Sequence, residues 1–278
     1  MAMGAETDAS TIFWLNAESE LLSYSNGLYL NTFDGGNGGF EAVGHKGNAV
    51  EFTKAATEGC VKVALGDGKY LTGNDATVTA AAEGSEWFAE EVTSLPLSIG
   101  NVGYSTIYSP VALEIPEGIT AYVASITGNY IVLSELQFGV IPAYTAVIVE
   151  GTKGNYNFNI TDNIEFSGDN ALLGTIEKIE ANTVNSPYTL QTDSKAANGV
   201  VMRSYNGEFI NAFKMYMSLP EETTKALSFR FPGGTTVIED IPGASKVIDN
   251  VAYDLFGRKV EAPSKGIYII NGKKVMIK

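Results

Sequence analysis

The chain has one histidine, His45 in "VGHKGN", and one cysteine, Cys60 in "GCVKV". A thiolate nucleophile needs a base within hydrogen-bond reach and a third group to orient that base. His45 sits in a glycine-rich loop far in sequence from Cys60, and the pattern nominates no third residue, so no catalytic pair is expected. Zinc needs three or four thiolate, imidazole or carboxylate ligands, and one of each soft ligand does not supply them. A lone cysteine forms no internal disulfide. Flanked by apolar residues, Cys60 reads as a small buried hydrophobe.

Carboxylates are plentiful, and a hydrolytic pair needs only two of them. Glu90-Glu91, Glu221-Glu222 and Glu239-Asp240 nevertheless lie in loop or surface texture and read as solvated acids. "TDNIEFSGDN" (161–170) and "GDGKYLTGND" (66–75) are rich in oxygen donors but lack the Asp-x-Asp-x-Asp-Gly spacing of a calcium loop. "DGGNGG" and "GTKGNYN" carry glycines without the following helix that phosphate binding uses, so they are turns. No metal, no cofactor and no enzymatic activity are expected.

Binding is the chemistry these residue types do support. Aromatic rings cover the apolar face of a sugar while amides and carboxylates bond its hydroxyls. Tyr24, Tyr29, Phe33, Asp34 and Asn37 form one such candidate set, with Tyr70, Asn74 and Asp75 as a second. The two sets stand in an internal echo. "LSYSNGLYL" (22–30) matches "VALGDGKYL" (63–71), pairing Asn26 with Asp67, Gly27 with Gly68, Tyr29 with Tyr70 and Leu30 with Leu71. Each copy reads as strand, two-residue turn, strand. The equivalence of Tyr29 and Tyr70 supports a competing reading, in which both are repeated core residues. The Gln-x-Trp signature of ricin-type trefoils is absent.

The elements that would position these residues are strands. With 30 glycines, 14 tyrosines and 13 phenylalanines, and with Thr, Val and Ile in short runs broken by Asn, Asp and Gly, the composition is that of an all-β protein. The best helical candidates are 80–92 and 219–227, a few turns each at most. The echo, with a period of about 40 residues, suggests a small trefoil-like or barrel-like β-domain over 11–94. From Leu95 onward, short strand candidates such as "ITAYVASI", "TAVIVEG" and "KMYMSL" follow one another closely, which predicts a β-sandwich over 95–231. Residues 232–250 read as a linker and residues 1–10 as a leader outside the fold. The chain ends in "YDLFGRKVEAPSKGIYIINGKKVMIK", a β-hairpin unit over 251–278 turning at Asn271-Gly272.

Net charge is −14, from 18 basic and 32 acidic residues, so nucleic acid and anionic membrane surfaces are not expected partners. Cations gather at the end, at Arg258, Lys259, Lys265, Lys273, Lys274 and Lys278, where they read as edge-strand protection and solubility in preference to a nucleic-acid patch. No apolar run reaches the roughly 18 residues of a membrane span, and no membrane insertion is expected. The first residues, "MAMGAETDAS", show neither a basic nor an apolar leader region, so no signal peptide is read there.

Several phrases occur together in one order: "LPLSIGNVGYSTIYSPVALEIPEGITAYVA", "IPAYTAVIVEG", "NALLGTIEKIEANTVNSPYTLQT", "MYMSLP", "LSFRF" and "YDLFGRKV". Over residues 95–278, and more loosely over 11–94, the chain resembles the C-terminal accessory region of secreted and surface proteins of the Bacteroidota. Two positions depart from that pattern: Phe256, where Gln is usual, and Tyr144, where a small residue is usual. The tail is similar to the sorting signals of the type IX secretion system, through Tyr253, Asp254, Gly257, Arg258, Gly266, Tyr268, Asn271, Gly272, Lys273 and Lys274. The resemblance implies a secreted or cell-surface protein with an upstream domain. It also implies a non-catalytic accessory role with the secretion machinery as a partner. Together with the aromatic and polar sets above, this makes glycan the expected ligand, the alternative being a structural spacer and export module without a ligand.

Overall fold

The computed structural model describes residues 9–32, 38–39, 47–65, 68–74, 77–127, 130–219 and 227–230, and strand backbones at 252–253, 259–260, 266–270 and 273–277. The protein is all-β. Apart from two short 3-10 turns, at Ala9–Thr11 and Ala181–Thr183, the regular elements among the described residues are strands. The first of these turns starts inside the stretch assigned to a leader, so Ala9 and Ser10 belong to the fold. Residues Met1–Gly233 make one compact unit and Gly234–Lys278 a second.

Three layers build the larger part of the first unit. At its centre, Tyr104–Ile107, Val147–Gly151, Ile119–Thr127 and Tyr130–Glu135 run antiparallel in that spatial order, and Ser228–Arg230 adds a parallel edge. Both faces of this sheet are covered. Ile119, Ala121 and Val123 pack with Leu95, Leu97 and Phe158, from the paired strands Ser94–Ile99 and Gly154–Asn159. Tyr122, Ala124 and Ile148 alternate to the opposite side, against Tyr188, Met202, Met215 and Met217 of a four-stranded sheet. Strands buried on both faces read as continuous apolar runs, which is why "AVIV" carries no polar alternation. The outer strands keep theirs: Met215 and Met217 are buried while Tyr216 between them faces the other way.

The N-terminal strands surround a core of their own. Glu51–Lys54, Cys60–Ala64, Tyr70–Asn74 and Thr77–Ala81 form an antiparallel meander, with Trp87–Phe88 paired onto Cys60–Ala64. Leu30 and Leu71, equivalent in the sequence echo, meet in one cluster with Val63 and Trp87. Gly27 and Gly68 both adopt left-handed φ, +68° and +77°, as their turns require. The change of texture near Leu95 is a change of core, yet the chain crosses it closely: Ile12 packs in the same cluster as Leu95, and Lys178 N–H donates to Gly27 O at 2.9 Å.

The helix expected over 80–92 does not form. That stretch holds the end of Thr77–Ala81 and the strand Trp87–Phe88, because the Trp87 indole is buried and its N–H donates to Leu71 O at 3.2 Å. The second helical candidate, 219–227, falls almost wholly outside the described residues. Cys60, expected to be buried, is only half-buried. It lies opposite Phe88, whose side chain is exposed.

In the terminal unit four strands lie in the order Lys259–Val260, Ala252–Tyr253, Gly266–Ile270, Lys273–Ile277. The last two pair antiparallel from Gly266↔Ile277 to Ile270↔Lys273, leaving a two-residue connection where the Asn-Gly signal stands. The linker assignment at 232–250 lies outside the described residues.

Tyrosine hydroxyls tie strands of the central sheet to one another and the N-terminal strands to the rest of the first unit. Tyr104 and Tyr122 each donate to one oxygen of Glu150, both at 2.7 Å. Tyr29 donates to Glu177 at 2.9 Å and Tyr24 to Pro96 O at 3.2 Å. Burial raises all four phenols, Tyr24 to about 12, and the neighbouring carboxylates raise the other three further. A phenol raised on folding contributes stability that is whole below its unfolded value near 10 and is lost as pH climbs above it. Lys214 has the opposite sign: burial lowers its ammonium, so its penalty eases as pH rises toward the ordinary lysine value of 10.5. That relief ends where the tyrosine loss begins. The unfolding midpoint in urea is therefore expected to fall steeply between pH 10 and about 12. A midpoint flat across that window would contradict these assignments.

Candidate functional site: a tyrosine-walled cleft

A cleft of about 610 Å³ opens beside the four-stranded sheet, and three tyrosines wall it: Tyr108, Tyr144 and Tyr216. Each comes from a different place. Tyr216 stands on the outer face of Lys214–Ser218, out of phase with the core methionines. Tyr108 follows Tyr104–Ile107, and its N–H donates to Phe213 O at 3.0 Å. Tyr144 lies in the turn after Val140–Ile141 and has a left-handed φ of +56°, unusual for a bulky side chain. The turn is held on both sides: Tyr144 N–H donates to Ser109 O at 2.7 Å, and Ala143 N–H donates to Asn163 Oδ1 at 2.8 Å.

Tyr144 is 59 % exposed. Its ring meets Tyr108 edge-on, with centroids 6.3 Å apart and planes at 65°, the arrangement aromatic quadrupoles favour. Burial, then the nearby phenols of Tyr144 and Tyr216, raise the Tyr108 hydroxyl, so it stays neutral and able to donate at ordinary pH. The floor is fixed by Asn170. Its Oδ1 accepts from Ala124 N–H at 3.2 Å and Leu172 N–H at 3.1 Å, and its Nδ2 donates to Ala146 O at 2.9 Å. Asn163 and Glu165, both exposed, bring an amide and a carboxylate to the rim. Rigid rings beside polar groups on a hydrogen-bonded frame suit a hydroxyl-rich, partly apolar ligand.

The sugar-binding set expected from the sequence is placed differently. Tyr24 is spent internally: its ring lies 4.6 Å from that of Phe213 and its hydroxyl is bonded to Pro96. Tyr29 is half-buried against Glu177. Tyr70 is half-buried and pairs with Ala64 and Ala81, with the Lys62 ammonium 6.0 Å from its ring centroid. Asn74 ends a strand opposite Thr77. Phe33, Asp34, Asn37 and Asp75 lie outside the described residues, as do His45, Glu221-Glu222 and Glu239-Asp240. Glu90 and Glu91 are exposed, as solvated acids should be. In the tail, Tyr253, Gly266, Tyr268, Lys273 and Lys274 fall within strands, while Asp254, Gly257, Arg258, Asn271 and Gly272 are outside the described residues.

Sequence reasoning missed the cleft, although two of its signals were visible. Tyr144 is a departure from the resembled pattern, and 161–170, the source of Asn163 and Glu165, is oxygen-rich. Nothing local shows that the two meet. No group of three or more metal-ligating His, Cys, Asp or Glu occurs among the described residues, and no helix among them is long and apolar enough to cross a membrane. Comparison of the chain with known protein families, curated proteins and solved structures finds no match.

Proposed function

We propose that this chain is a non-catalytic accessory region of a secreted or cell-surface protein, and that it holds glycan in the cleft walled by Tyr108, Tyr144 and Tyr216. The observation carrying this reading is the exposed Tyr144 ring, fixed in an uncommon backbone conformation over a polar rim. Glu165 is the one carboxylate among the cleft's lining residues. Glycoside hydrolysis takes two, so the lining favours holding a sugar over cutting it. Tyr144→Ala is expected to weaken binding on a glycan array and by calorimetry by about tenfold or more, with an unchanged melting temperature. Equal binding by wild type and variant would remove the cleft from the proposal.

The second unit supports an export role, because its strands form a sheet of their own. A unit read by secretion machinery must fold as a separate piece. Deleting residues 251–278 in the native host should retain the protein inside the cell while the purified truncated protein keeps its melting transition. Normal surface display after that deletion would end the sorting reading and leave the spacer role.

A further inference from the structure

We infer a second binding site, for a small organic cation with an apolar body, in the pocket between the strand Phe13–Leu15 and the start of the sandwich. The pocket measures about 570 Å³, within the range of small-molecule sites, and shares no lining residue with the tyrosine cleft. Its walls are apolar and aromatic, with Trp14, Phe52, Tyr24 and Phe213 among them. Phe52 remains 38 % exposed, so the protein leaves part of this apolar wall uncovered. The charged residues of the lining are Glu90 and Glu91, both exposed and both negative, with no lysine or arginine among the lining residues to neutralise them. Aromatic faces and carboxylates each favour an ammonium group over a neutral or anionic one, and apolar walls favour the hydrocarbon attached to it. An anionic head would meet the two glutamates and a chain of net charge −14. The walls come from both sides of Leu95, Trp14 and Phe52 before it and Phe213 after it, so an occupant bridges the two cores and stabilises their contact.

The test uses the whole chain and three probes sharing one tail, below their micelle concentrations: decyltrimethylammonium, decyl maltoside and decyl sulfate. Trp14 lines the pocket, while Trp87, the other tryptophan, is buried and is not among the lining residues, so Trp87→Phe leaves Trp14 as the one indole and makes emission report the pocket. The ammonium probe should quench saturably, raise the melting temperature, and bind about fivefold or more tighter than the other two. Glu90→Gln with Glu91→Gln, exposed changes that leave the fold intact, should erase that preference while retaining weak binding of the tail. Absence of saturable binding by the ammonium probe, equal affinity for the three heads, or a preference that survives the double substitution would each overturn the site. Ammonium-probe binding that depends on Tyr144 instead of Glu90 and Glu91 would place the probe in the other cleft and overturn this site.

Discussion

Gly27→Ala is expected to destabilise the protein by roughly 3–5 kcal/mol, whereas Gly68→Ala, its partner in the sequence echo, should cost only about 1 kcal/mol. Both glycines sit at left-handed φ, so each substitution carries the conformational cost of placing a Cβ there. Their surroundings differ. A Cβ on Gly68 meets open space. A Cβ on Gly27 would strike the Ala212 Cβ and come within 2.7 Å of the Lys178 backbone nitrogen. That nitrogen donates to Gly27 O, so the backbone cannot back away without losing the bond that joins the N-terminal hairpin to the 178–212 region. The added methyl group therefore opens a junction between two cores as well as straining a turn. Urea denaturation of the two variants side by side checks the contrast. Equal losses would show that the turn conformation alone matters and that the junction is loose.

The same pair of glycines shows what could be read from the sequence. A chain reversal at Asn-Gly is a local pattern that local sterics suffice to predict. In the first copy, however, the reversal is longer than two residues and is followed by an isolated bridge, Leu22 with Tyr29, rather than a strand. Asp67 of the second copy lies outside the described residues. The alternation in Lys214–Ser218 and the unbroken apolar run at Val147–Val149 are local patterns too, from which an all-β protein follows. The distinction between Gly27 and Gly68 is made by Ala212 and Lys178, which are remote in sequence and carry no mark of their role. The internal engagement of Tyr24 is hidden from the sequence for a related reason. Tyrosine beside Asn and Ser looks like an exposed platform until the partners of its ring and hydroxyl, Phe213 and Pro96, are known. The helix expected over 80–92 was an alanine-and-glutamate propensity overridden by one buried indole at Trp87.

Gly174→Ala is expected to close the tyrosine cleft, with a stability loss of roughly 2–4 kcal/mol and a loss of glycan binding of about tenfold or more. Gly174 sits in the strand Leu173–Thr175, paired with Met215, and the Tyr108 ring lies directly over it. A Cβ there would overlap Cγ and Cδ2 of Tyr108 and approach its Cβ to 2.7 Å. These atoms are the root of the side chain, so no rotation of the ring tip relieves the overlap. The strand is anchored to Lys214–Ser218, and Tyr108 is anchored to Phe213 O through its own N–H, so one of the two must move as backbone. Either movement takes Tyr108 away from Tyr144 and removes a wall of the cleft. Combining Gly174→Ala with Tyr108→Ala separates the two effects, because deleting the ring removes most of the overlap. The double variant should recover much of the lost stability, a coupling readable as non-additive denaturation midpoints, and should still fail to bind glycan. Additive stability losses would mean that the ring and Gly174 do not press on each other. Full binding by the double variant would show that Tyr108 only packs against the sheet, leaving Tyr144 and Tyr216 to hold the sugar.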